Sequence, residues 1–159
     1  MSFQDLLQVH ERLTELFLRH QEALIQLDIE SAMERLELYR RELAAHMKAE
    51  EELLLPVYSR AGAIPGGPPG FFMGEHQRMR EFLARFAAAL QEMKTGRANL
   101  TRRVIKLFDE EAAFKNLVDH HDQRERSIFF PALDRVTTEA ERRELIERCL
   151  AVNRMDNGF

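Results

Sequence analysis

A His and a Glu four residues apart, followed six residues later by Pro, occur twice: His46, Glu50 and Pro56, then His121, Glu125 and Pro131. The step before each Pro is apolar, Leu53-Leu54-Leu55 in one copy and Ile128-Phe129-Phe130 in the other. On an α-helix, positions i and i+4 share a face with Cβ atoms about 5–6 Å apart. Each pair therefore presents an imidazole and a carboxylate to one point. One copy alone reads better as a buried His–Glu hydrogen bond. Two copies with the same downstream punctuation point to metal, because inward-facing Glu and His side chains on facing helices build the di-iron sites of helical bundles.

The surrounding pattern is helical. Leu6, His10, Leu13, Phe17, His20, Leu24 and Leu27 step by 4 and 3 in alternation, a single seam along a helix predicted over 4–27. A second helix is predicted over 32–60, with Leu36, Tyr39, Leu43, His46, Glu50, Leu53 and Val57 inward. Ser31 and Glu34 form a capping-box pattern at its start. A third, over 71–94, carries Phe72, His76, Met79, Leu83, Phe86, Leu90 and Met93. A fourth, over 101–135, carries Val104, Leu107, Glu111, Phe114, Val118, His121, Glu125 and Ile128. His120 falls about a third of a turn off that seam. Pro56 marks a helix end or a kink. The Pro/Gly-rich stretch within 59–73 reads either as a plain crossover or as a lid over a site. Thr138 and Glu141 cap a short amphipathic helix over 139–152, which packs either on the bundle or on another subunit. The fold class expected is all-α: an up-down-up-down four-helix bundle over 1–136, with a C-terminal amphipathic helix and tail over 137–159.

Short turns make the first two helices, and the last two, antiparallel neighbours. Reflecting the midpoint of His46 and Glu50 through the turn near 29 lands on His10. Reflecting the midpoint of His121 and Glu125 through the turn near 99–100 lands on His76. The chain is thus a twofold repeat of His, then His-x-x-x-Glu. His20 lies ten residues from His10, roughly 15 Å along the axis, and Glu111 is displaced from His121 toward the same end. These two are expected to form a separate buried polar pair.

Composition narrows the partners. The net charge is −4 with both signs interspersed, so no basic face for nucleic acid stands out. No apolar run reaches the ~20 residues of a membrane-spanning helix. A single cysteine, Cys149, excludes an internal disulfide and suits a reducing compartment. Met1-Ser2-Phe3-Gln4-Asp5 lacks the pattern of a signal peptide. A cytoplasmic protein is expected.

With His10, His46-x-x-x-Glu50 followed by Glu51 and Pro56, Glu75-His76, and His121-x-x-x-Glu125 followed by Pro131, residues 5–135 resemble the hemerythrin-like family, the HHE cation-binding domain. The resemblance implies two oxo- or hydroxo-bridged iron ions. Glu50 and Glu125 would bridge them, and His10, His46, His76 and His121 would be terminal ligands. Manganese or zinc stays open, since ligand type does not exclude either. The chain departs from the oxygen-carrying members at Arg80, where they have a further His. Fewer protein ligands leave more positions for water, O2, NO or peroxide. Three functions are compatible with such a centre or its absence: a protein that binds O2 or NO in sensing, storage or stress response; a di-iron oxidase, peroxidase or NO reductase, or an iron donor for repair of iron centres; and a metal-free structural bundle. A homodimer is left open. The roles of His120, Glu51 and Glu75 are not assigned by spacing.

Overall fold

The computed structural model describes residues 1–155 and is all-α: five helices, with no strand among the described residues. The last four residues of the expected C-terminal tail lie outside this range. Helix α1 (Leu7–Ile25) comes after a 3-10 turn at Phe3–Leu6, in which Ser2 and Asp5 cap each other's backbone. Helix α2 (Ile29–Ala49) continues through a π-helical turn (Glu50–Leu54) into Leu55–Tyr58. Helix α3 is Pro69–Thr95. Helix α4 (Leu100–Arg124) continues through a second π-helical turn (Glu125–Phe129) into Phe130–Val136. Helix α5 is Glu139–Met155. No helix among the described residues is long and apolar enough to cross a membrane.

The α1–α2 turn differs from the expected one. Asp28, not Ser31, caps α2: its carboxylate accepts from the Ser31 backbone N–H at 3.1 Å and from the Ser31 hydroxyl at 2.8 Å. A carboxylate at that position satisfies a free N–H and favours the positive end of the helix dipole. The α3–α4 turn closes on Asn99 at φ +55°, a left-handed conformation that Asn tolerates.

Both π turns begin at the Glu of the repeated motif, and the simple 4,3 seam does not anticipate them. The Leu55 N–H reaches back five residues to the Glu50 carbonyl, and Phe130 does the same to Glu125. The next residue is Pro in each case, which lacks an N–H and whose ring would crowd the carbonyl four residues back. A wider turn relieves that crowding. It also holds one extra residue, which rotates the rest of the helix about its axis. The seam assigned Leu53 and Ile128 inward; instead Leu54 and Phe129 are buried, while Leu53 and Ile128 are half-buried.

The segment between α2 and α3 is a fastened crossover. Arg124 donates to the Gly66 carbonyl at 2.6 Å, and the Tyr58 hydroxyl donates to the Gly67 carbonyl. A Cβ on Gly67 would lie 2.6 Å from both Ile128 Cγ2 and the Tyr58 hydroxyl, so only glycine allows this approach. Helix α5 packs on the bundle. Its Leu145, Ile146 and Cys149 join Phe3, Leu54, Phe129, Phe130 and Leu133 in one apolar cluster. A second cluster, built on Phe17, Leu36, Leu43, Phe86 and Phe114, fills the other end of the four-helix bundle. The layer of His and Glu side chains lies where the two π turns begin.

The rotated register is testable. Phe129→Ala should lower the unfolding free energy by about 3–5 kcal/mol, and Ile128→Ala by clearly less, in urea denaturation. Equal losses would put the wrong residue in the core.

Candidate metal centre

Each of the four bundle helices sends one imidazole to a common level: His10 from α1, His46 from α2, His76 from α3 and His121 from α4. Glu50 and Glu125 join them from the first residue of each π turn. All six are buried, His76 and Glu125 completely. The reflection through each turn thus placed the third and fourth imidazoles at the level of the His–Glu pairs.

The donor atoms form two groups that share the carboxylates. In one, His10, His46, Glu50 and Glu125 each have a donor atom within 4.8 Å of all the others; in the second, His76, His121, Glu50 and Glu125 do the same. His10 Nε2 lies 3.0 Å from His46 Nε2 and 2.9 Å from Glu125 Oε2, and His46 Nε2 lies 2.7 Å from Glu50 Oε1. His76 Nε2 lies 3.3 Å from His121 Nε2 and 3.0 Å from Glu50 Oε2, and His121 Nε2 lies 2.6 Å from Glu125 Oε1. Each carboxylate therefore turns one oxygen to each pair of imidazoles.

Hydrogen bonding does not account for this arrangement. Glu50 Oε1 and both oxygens of Glu125 are buried and accept no hydrogen bond, although ring nitrogens stand close by. Two imidazole nitrogens also face each other in each half, and each can spare at most one proton for that contact. Donor atoms held about 2.1 Å from one ion, at right angles to each other, lie ~3.0 Å apart. The observed contacts cluster around that edge length, so the donor set fits two cations that share two carboxylates.

The electrostatics agree. Burial alone would raise the Glu50 pKa, but His46, His121 and His76 outweigh it and hold that carboxyl well below the usual range. Burial would lower the His10 pKa, but Glu125, with help from Asp122 and Glu50, drives it up to about 9. His121 is raised in the same way, against burial, mainly by Glu125. The two buried carboxylates thus create a field that favours positive charge at their centre.

Outside the six lie carboxylates that orient the rings. His76 Nδ1 donates to Glu51 Oε1 at 2.9 Å, and Arg80 holds the same oxygen at 2.9 Å. His121 Nδ1 donates to Glu75 Oε1 at 3.4 Å, and Arg124 holds Glu75 at 3.1 Å while gripping the crossover. His10 Nδ1 lies 3.4 Å from Asp122 Oδ1. A carboxylate on the far nitrogen fixes the tautomer and raises ring basicity. Glu51 and Glu75 thus acquire roles that spacing left unassigned. Asp122 escaped the sequence reading, although its place one turn after Val118 faces it toward α1. His120 is exposed and belongs to none of these contacts.

The second polar layer forms as expected. His20 Nε2 stands 2.6 Å from Glu111 Oε2, and both side chains are fully buried. His20 Nδ1 donates to the Ala32 carbonyl at 2.9 Å, and Gln21 donates to Glu111 Oε1 at 3.1 Å. Every polar atom of the pair has a partner, which distinguishes this layer from the unsatisfied oxygens of the centre.

The family model described as hemerythrin HHE cation binding domain matches residues 1–133. No curated protein and no solved structure matches the chain.

Glu111→Ala should destabilise the fold by about 3–5 kcal/mol, since it strands a buried histidine, and should leave metal content per folded chain unchanged. Loss of metal in proportion to Glu111 would merge the two layers into one site.

Proposed function

This chain belongs to the hemerythrin HHE cation-binding domain family, and from that premise we propose that it holds two iron ions and binds O2 or NO, in gas sensing, storage or the response to oxidative and nitrosative stress. His10, His46, His76 and His121, together with Glu50 and Glu125, would hold them. The observation that carries this reading is the set of buried carboxylate oxygens that accept no hydrogen bond between facing imidazole nitrogens. Iron bound there supplies a reversible one-electron couple and open coordination positions.

The remaining chain residues prepare those positions. Four protein donor atoms serve each half of the centre, fewer than the six of an octahedral ion. Arg80 stands where oxygen carriers have a further His, and it instead holds Glu51 against His76. That shortage favours a second reading, in which the same centre turns over peroxide or NO as an oxidoreductase or releases iron for repair of other centres. We place the protein in the cytoplasm on the strength of its single, free cysteine, Cys149, which suits a reducing compartment.

Anaerobic reconstitution with Fe(II), followed by iron quantification and visible spectra before and after O2 or NO, tests the centre. About two irons per chain and a ligand-dependent spectrum are expected. No retained metal after reconstitution would sink the reading, and sustained consumption of peroxide or NO would select the enzyme over the binding protein. Of the neighbouring histidines, His121→Ala should lose metal and His120→Ala should keep it; equal loss would refute the assignment on α4.

A further inference from the structure

A cavity of about 140 Å³ runs from the centre into the bundle. One end is formed by His10, His46 and His121, and its walls include Leu13, Phe17, Leu43 and Phe114. It opens between α1 and α4 past Leu18, Lys115 and Asp119. The opening is a consequence of packing: α1 lies against α2 far more extensively than against α4. The cavity is not explained by a diatomic ligand, which needs only about one water's share of volume, ~30 Å³. Its lining is mostly apolar, and of its polar members Thr14 spends its hydroxyl on the His10 carbonyl while Gln21 is bound to Glu111. Dry apolar cavities of ~150 Å³ take up benzene or xenon.

We propose that this cavity is a binding site for a compact, neutral, largely apolar organic molecule of benzene size, seated with one edge against the imidazoles of His10, His46 and His121. Tyr39 lines the cavity and is buried, and its hydroxyl makes no hydrogen bond among the described residues. It offers the ligand a hydrogen-bonding partner where the walls are mostly apolar. Leu13, Phe17, Leu43 and Phe114 line the cavity and belong to neither donor group of the centre. Only the placement of the ligand beside iron rests on the function proposed above.

Benzene is titrated into the metal-free protein, with binding read from the methyl resonances of Leu13, Leu43 and Val118. Saturable shifts at these three are expected. Val118→Phe and the milder Val118→Met fill the cavity from the α4 side. Each should weaken benzene binding by about tenfold or more, with iron content on separate reconstitution unchanged. Phenol should bind more tightly than benzene, and Tyr39→Phe should erase that preference. Absence of saturable binding, or unchanged affinity in both filled variants, would overturn the site. Equal affinity for phenol and benzene would overturn the role given to Tyr39. Because metal content is measured independently, loss of the cavity and loss of the centre are separate outcomes.

Discussion

Two buried carboxylates shared by four imidazoles are the constraint around which the bundle is arranged. A charge taken into the interior is costly unless it is paired and fully satisfied, and Glu50 and Glu125 are buried with oxygens that no hydrogen bond reaches. Positive charge must compensate them. Histidine from each of four helices is close enough to do so, and bound cations would do it more completely. The outer carboxylates Glu51 and Glu75 then hold two rings in orientation, each steadied by an arginine nearer the surface. Charge alternates outward in shells, from carboxylate to imidazole to carboxylate to guanidinium.

The π turns connect this electrostatic core to the packing. Each begins at a central Glu and ends just before the residue that precedes a proline. The local defect that proline demands is thereby placed where a polar side chain must be aimed inward. The same extra residue turns Leu54 and Phe129 into the apolar cluster that α5 seals. Pro56 and Pro131 thus shape both the centre and the floor beneath it, and π turns of this kind are common at functional sites. Helix α5 contributes nothing to the six central residues, yet it covers the cluster on which both π turns rest.

The two polar layers show how similar residues take different roles. His20 and Glu111 are as deeply buried as the central groups, but each polar atom finds a protein partner. The pair is complete by itself. The central six are not, and the cavity is lined by His10, His46 and His121 of that incomplete set but by neither His20 nor Glu111.

Helix periodicity is a local property, so the seams, the antiparallel pairing and the convergence of His10, His46, Glu50, His76, His121 and Glu125 were legible from spacing alone. So was the pairing of His20 with Glu111, because two residues displaced equally along neighbouring helices must meet. The capping of α2 by Asp28, the rotation after each π turn, the carboxylate partners of the rings and the packing of α5 were not. Each depends on which neighbour comes within reach: a 4,3 pattern assumes an undistorted helix, and a charged residue beside a seam has no assigned partner until the facing helix is in place. The amino-acid sequence determined which side chains meet at the centre; only the tertiary structure decided how their oxygens and nitrogens are oriented, because that depends on backbone widening and contacts between residues far apart in the chain.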